Sequence, residues 1–427
     1  MRLGASLGAI HDSAERYPSP NCHPGTRNAV LQIILNWNHS ESSEHSFLWL
    51  YGPAGSGKTA ILQAIAEFLC LPSESSENFG GSFFFSRGKK GHDQGHFLFT
   101  TIAFQLALNV PGLRQQVNQI MEFNPTLHTK SLEKQLQSLI VDAFQNLSPL
   151  PQRPYLVIID GLDECLDEKT QQLILRLLCE TVTVHKLPLR FLIGSRPESH
   201  IRASFDHESL DTITHRLVLD EAFNPGRDIR VFLQDGFAKI CAKNSNQYRV
   251  EQPWPSEDII DELVQRSSGQ FIYATTVLKF VGADFCSPMK QLSLVLKPDP
   301  TAFSDLDQLY TQILSVYPKS VNIVQVLGFI IAFDENNLPE VIEDILEMEE
   351  GGLKGVLCGL SSLMKDENVE EGCLTPYVIP NFAHASFSDY LFHSSRSGLF
   401  HVDREEYKDQ VTTRSFALIM QLIKSWK

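Results

Sequence analysis

The sequence predicts an α/β fold, a parallel sheet covered by helices on both faces, followed by helical and winged-helix-like regions. Short apolar runs alternate with segments of helical periodicity between Phe47 and Leu219, and that alternation implies right-handed crossovers between parallel strands. The first run, Phe47-Leu48-Trp49-Leu50-Tyr51, is apolar throughout and stops at a glycine loop, which suits a strand buried on both faces. After about residue 221 the strand signal fades and helical spacing takes over.

The elements follow in order. Residues 1–25 are polar, carry Pro18, Pro20 and Pro24, and are expected to form an irregular leader. Asn28 to Trp37 has helical spacing through Val30, Ile33, Ile34 and Trp37, and a Ser/Glu/His-rich loop, His39 to Ser46, separates it from the first strand. Ala60 to Leu69 reads as a helix, Gly81 to Phe85 as the second strand, and Phe99 to Leu108 and Leu132 to Phe144 as helices. Tyr155 to Ile159, between Pro154 and Gly161, is the third strand. Thr170 to Val184 is helical, Arg190 to Gly194 the fourth strand and His215 to Leu219 the fifth. Beyond them Asp228 to Ala242, Ser256 to Arg266, Gln270 to Val281 and Leu306 to Val316 read as helices, punctuated by Pro225, Pro253, Pro255, Pro298 and Pro300. Strand-like pieces at Leu360 to Met364 and Tyr377 to Ile379 suggest a winged helix. The expected organisation is a leader 1–25, an α/β domain 26–220, a helical domain 221–300, a winged-helix-like domain 301–405 and a C-terminal helix 406–427.

Composition narrows the function classes. Of 427 residues, 43% are hydrophobic and 20% charged, enough to bury a core in two or three domains. A formal charge of -15 with scattered Lys and Arg argues against nucleic acid as the main partner. The eight cysteines form no CxxC pair and have no histidines at metal spacing, so buried reduced thiols are expected rather than disulfides or zinc. The N-terminus lacks an apolar signal-peptide core, and the longest apolar stretch, Val326 to Phe333, is far short of the ~18 residues a membrane span needs. A soluble, cytoplasmic protein is expected.

The segment Gly52-Pro53-Ala54-Gly55-Ser56-Gly57-Lys58-Thr59 satisfies G-x-x-x-x-G-K-[ST] at every fixed position and stands between an apolar strand and a helix. Its glycines let backbone N–H groups turn toward a β-phosphate, and the helix N-terminus adds positive charge. Lys58 is expected on the β- and γ-phosphates and the Thr59 hydroxyl on Mg²⁺. Val157-Ile158-Ile159-Asp160 places a carboxylate at the end of a buried strand, where Asp160 can hold Mg²⁺. Asp163 and Glu164 follow where a carboxylate can orient or deprotonate the attacking water. Arg196, after the fourth strand in Gly194-Ser195-Arg196-Pro197, is expected to face the γ-phosphate. These motifs point to an ATP- or GTP-binding P-loop protein, with slow NTP hydrolysis as a possible activity. No Asn-Lys-x-Asp guanine-reading motif occurs, so a small GTPase is not expected.

Taken together, these three motifs resemble the NACHT clade of signal-transducing (STAND) NTPases, and more narrowly the nephrocystin-like NACHT proteins of mushroom-forming fungi. Further similarity lies in Cys22-His23-Pro24-Gly25-Thr26-Arg27, Phe83-Phe84-Phe85-Ser86-Arg87, Thr101 to Ala107, Ser268 to Ala274 and Phe382 to Leu391, over about residues 20–400. The resemblance implies an additional-strand (ASCE/STAND) P-loop fold that rests closed with ADP and opens on exchange for ATP. It implies slow hydrolysis, self-association in the ATP state, and signalling in self/non-self recognition or programmed cell death. It also implies that His384 touches the β-phosphate of ADP and latches the closed form; a core histidine between Phe382 and Phe387 is the alternative. Family members carry an effector domain before this core and sensor repeats after it, and neither pattern is found here. An AAA+-like remodelling ATPase and a non-signalling nucleotide-binding decoy stay open as alternatives.

Overall fold

The computed structural model describes residues 4–425 apart from 41–43, 72–77, 221–222, 245–253, 284–285, 298–303, 317–322, 333–338, 350, 365–381 and 383. The chain divides into two compact units, Met1–Asn224 and Pro225–Lys427.

In the first unit the order is α1 (Asn28–His39), β1 (Phe47–Tyr51), α2 (Lys58–Cys70), β2 (Phe79–Phe84), α3 (Leu98–Asn109) and α4 (Leu113–Phe123). Next comes α5 (Leu132–Leu136), which runs through a π-helical stretch, Gln137–Asp142, into α6 (Ala143–Gln145). Then follow β3 (Tyr155–Asp160), α7 (Glu168–Thr183), β4 (Leu189–Ser195), α8 (Ser199–Phe205), α9 (Glu208–Asp211) and β5 (Thr214–Val218). All strand pairs are parallel, in the order β2-β3-β4-β1-β5. β4 therefore stands between β1, which leads into the P-loop, and β3, which ends in Asp160. It is the added strand of the expected fold.

Alternation of side chains across the pleat splits the core in two. Phe47 and Trp49 of β1, Val157 and Ile159 of β3, and Phe191 and Ile193 of β4 pack with α3 to α8 on one face. Leu48, Leu50, Phe84, Leu156, Ile158 and Leu192 pack with α1 and α2 on the other. Burying each such side chain stabilises the fold by about 1.5–3 kcal/mol, which is why strands apolar at every position end inside the sheet.

Helices α4 and α8 lie where sequence reading placed none. In α4 the buried residues are Leu113 and Val117, with Ile120 and Met121 packed beside them, a spacing that gives one apolar stripe. In α8, Ile201 and Phe205 form a single i, i+4 pair. Arg190, in β4, donates to the carbonyls of Trp37 and Asn38 (both 2.7 Å) and Ser40 (2.7 Å), so a cation caps the C-terminal end of α1.

The leader is irregular but tied to the α/β core by hydrogen bonds. It makes two 3₁₀ turns, Leu7–Ala9 and Ala14–Arg16. The Ser6 N–H donates to Thr101 Oγ1 (2.9 Å), the His11 N–H to Ser82 Oγ (3.1 Å), and Gln63 Nε2 to the His11 carbonyl (2.9 Å). Glu15 pairs with Lys89 and His92, both at 3.3 Å.

The second unit is helical: α10 (Pro225–Asn244), α11 (Glu257–Ser267), α12 (Phe271–Val281), α13 (Pro288–Val295), α14 (Asp305–Ser315), α15 (Ile323–Ala332), α16 (Pro339–Ile345), α17 (Gly352–Gly359), α18 (Ala385–Phe392), α19 (Ser394–Ser397) and α20 (Arg404–Ser425). One apolar cluster runs from Ile229 to Val402. A buried Asp307 accepts two hydrogen bonds from Arg396, joining α14 to α19. Leu360 to Leu363 turn rather than extend, and Met364 makes one antiparallel bridge with Phe382. Tyr377 to Ile379 lie outside the described residues. Among the described residues no helix is long and apolar enough to cross a membrane.

Candidate nucleotide site

Strand β1 delivers the chain into Gly52–Gly57, and α2 starts at Lys58. Gly55 (φ 73) and Gly57 (φ 92) adopt left-handed backbone that side chains rarely tolerate. Gly57 is also the residue that caps α2, so the loop feeds directly into a helix N-terminus with its unpaired N–H groups. Lys58 Nζ donates to the carbonyls of Gly52 (2.8 Å) and Pro53 (2.9 Å). An ammonium has three protons; two brace the lysine across the loop, and the third can reach a phosphate oxygen. Burial pushes the Lys58 pKa down, opposed by Asp163 and Asp160. From outside, buried Arg27 donates from Nη2 to the Ser56 carbonyl at 2.7 Å, gripping the loop by its backbone.

The acids arrive on the neighbouring strands. Register pairs Leu50 with Gly194 and Ile159 with Ile193, which sets Asp160 beside Gly194 at the carboxyl ends of the strands. A methyl group on Gly194 would lie 2.7 Å from Asp160 Oδ1 and closer still to Leu62 Cδ1, so the absence of a side chain there makes room for the carboxylate. Asp160 is buried, bonded by the Thr59 hydroxyl, and its Oδ1 has no hydrogen-bond partner among the described residues. Burial pushes its pKa up to about 6, against the Thr59 bond and the charges of Arg16 and Lys58.

This donor set fits Mg²⁺. A hydroxyl and an unsatisfied carboxylate oxygen are hard donors, and Mg²⁺ takes one or two protein ligands with substrate phosphates and water. Among the described residues no cluster of three or more His, Cys, Asp or Glu could enclose a metal alone.

Asp163 and Glu164 stand on the 3₁₀ turn Leu162–Glu164 and have different surroundings. Asp163 is buried; Oδ1 accepts the Arg196 backbone N–H (2.9 Å) and Oδ2 lies 3.3 Å from Arg196 Nε. Glu164 Oε2 accepts the Arg87 backbone N–H at 3.1 Å. Burial, and then the charge of Asp163, push Glu164 up to about 7. A carboxyl at that value can take a proton from water near neutral pH, whereas Asp163 is engaged in aiming Arg196. Ser195, just before that arginine, accepts the Trp49 Nε1–H at 2.8 Å and ties the tip of β4 to β1.

Residues 25–196 match the profile of the family described as Nephrocystin 3, N-terminal. The nephrocystin-type match begins two residues before Arg27 and takes in the P-loop, Asp160, Asp163, Glu164 and Arg196. No curated protein matches the chain. Among solved structures, a chain of the Drosophila ORC bound to DNA is similar at 12% identity and a TM-score of 0.37, over 81% of this chain and 83% of that one. Sheet order, not that likeness, establishes the α/β fold.

The first unit brings Gly52 to Thr59, Asp160, Asp163, Glu164 and Arg196 to one end of the sheet. His384 belongs to the second unit, where it caps α18: the Ser386 N–H donates to its Nδ1 at 3.1 Å. A ring nitrogen that accepts carries no proton, so the neutral ring holds its proton on Nε2. Ser386 Oγ also meets Nδ1 (2.7 Å) and the hydroxyl of buried Tyr310 (2.8 Å). Arg27, Arg87 and Gly194 escaped the sequence reading as site residues, although all three lie inside quoted motifs. Their contributions pass through backbone atoms or an absent side chain, which a motif does not display.

Proposed function

We propose that this chain is a nucleotide-gated switch that binds ATP and ADP with Mg²⁺ and hydrolyses ATP slowly. The observation that carries the reading is Asp160: a buried carboxylate bonded by Thr59, level with the end of the P-loop strand, with one oxygen unsatisfied. Thr59 and Asp160 would hold Mg²⁺, which shields the phosphates' charge. Lys58 would take a phosphate oxygen, Glu164 would receive the proton of the attacking water, and Arg196, held by Asp163, would report the γ-phosphate. The nephrocystin-type match and the motif resemblance support the finer reading of a NACHT-type module, cytoplasmic and self-associating with ATP, that signals to an effector or sensor partner in self/non-self recognition or cell death.

Calorimetry with ADP and ATP on the wild type and Lys58→Ala tests the binding claim. Losing the ammonium should weaken both nucleotides by ~10-fold or more, since hydrogen bonds to charged groups contribute ~1.5–3 kcal/mol. Equal affinity in the variant refutes it.

A further inference from the structure

The leader brings a further cation to the acid cluster. Arg16 closes the 3₁₀ turn Ala14–Arg16, and its guanidinium lies 3.8 Å from the centre of the Phe84 ring. Phe84 is the register partner of Asp160 on the adjacent strand. By alternation both side chains lie on the α2 face of the sheet, with Ile158 and Leu62. Arg16 Nη2 donates to Gln63 Oε1 at 3.1 Å. Gln63 follows Thr59 by one helical turn on that face, so Arg16 is held beside the threonine that bonds Asp160. Gln63 is itself fixed, donating to the His11 carbonyl (2.9 Å) and to Glu67 Oε1 (2.8 Å). Arg16 Nε is buried without a hydrogen-bond partner among the described residues. An arginine so enclosed persists where nearby carboxylates offset its desolvation. Burial lowers its pKa to about 10, and the acids that oppose this are Asp160, Glu164 and Glu67.

We propose that Arg16 is a positioning residue of the nucleotide site, a fixed cation that balances the charge of Asp160 and Glu164 so that a polyphosphate can enter before Mg²⁺ does. The proposal rests on the nucleotide-binding reading above. Three carboxylates, Asp160, Asp163 and Glu164, face the place a triphosphate would occupy, and Lys58 and Arg196 are already engaged with the loop and with Asp163. Against three carboxylates these two cations leave a net negative charge at the metal-free site, and Arg16 offsets it. With Mg²⁺ bound to the phosphates, the metal does the same work and Arg16 matters less.

The test is calorimetric titration of ADP into the full chain with Mg²⁺ and with EDTA, for the wild type, Arg16→Met and Arg16→Lys. Methionine keeps apolar contact with Phe84 and removes the charge; lysine keeps the charge. Arg16→Met should lose about tenfold in affinity in EDTA, ~1.4 kcal/mol, and under about threefold with Mg²⁺. Arg16→Lys should stay near wild type in both. Should Arg16→Met fail to fold, Arg16→Gln, which can still bond Gln63, gives the same readout. Equal losses with and without Mg²⁺, or no loss in either, would make Arg16 a packing residue and overturn the proposal. A wild type that binds no ADP in either condition would instead sink the nucleotide-binding reading itself.

Discussion

Substituting Gly194→Ala probes the seat of Asp160 without touching the carboxylate. The new methyl would meet Asp160 Oδ1 at 2.7 Å and crowd Leu62 Cδ1 more closely. Comfortable contact begins near 3.5 Å, so each neighbour must retreat by roughly 0.8 Å or more. Overpacking of this kind costs ~1–3 kcal/mol, and the stiffer unfolded chain returns ~0.4–1 kcal/mol of it. A net loss of ~1–2 kcal/mol is expected, or roughly 2–8 °C in melting temperature for a unit of this size. The two clashes separate in a double variant. Leu62→Ala relieves the aliphatic clash but not the one with Asp160, so Gly194→Ala with Leu62→Ala should show ~1–2 kcal/mol of favourable coupling in stability. It should still bind Mg²⁺-ADP more weakly than wild type, while affinity in EDTA changes little. The assays are thermal unfolding and calorimetry with and without Mg²⁺. Wild-type stability and wild-type Mg²⁺ dependence in Gly194→Ala would refute the placement of Asp160 against β4.

Three further outcomes follow from the site. Because Glu164 sits near pKa 7 and must be deprotonated to act as a base, kcat/KM for Mg²⁺-ATP should rise about tenfold from pH 6 to pH 8, the change in ionised fraction of such a group. Glu164→Gln should slow phosphate release and remove that limb; a flat wild-type profile would exclude Glu164 as the base. Asp163→Asn, which loosens Arg196, should cost ~1–3 kcal/mol of stability and weaken ATP more than ADP; abolished turnover there, with turnover intact in Glu164→Gln, would exchange the roles of the two acids. For His384, Asn preserves an N-cap and Ala removes one, at ~1 kcal/mol; a latch predicts faster ADP release in both variants, whereas a cap alone predicts a lower melting temperature in His384→Ala only.

Five strands and the P-loop were legible because their signals are local. Phe47 to Tyr51 coincides with β1, and Lys58 opens α2 as the motif requires. Helix α4 gives little signal in the sequence because its stripe is short and interrupted by Arg114, Gln115 and Gln116, and α8 because a single apolar pair scarcely has a period. The packing of the leader was illegible for another reason. Proline and polar composition report the absence of regular structure, but say nothing of backbone bonds to residues seventy or more positions away, such as His11 to Ser82. Asp163 and Glu164 are adjacent in sequence; in the structure they differ in who donates to each, the Arg196 N–H in one case and the Arg87 N–H in the other.

Helix α1 is fastened at both ends, by Arg27 to the loop carbonyl of Ser56 and by Arg190 to its own last carbonyls. It thereby acts as a strut. A fragment cut from Phe47 to Val218 would retain Lys58, Thr59, Asp160 and Arg196, yet its P-loop would lose the grip of Arg27 and Arg190 would face no helix end. The support that α1 gives the P-loop and β4 therefore sets the start of the smallest self-braced first unit upstream of the first strand.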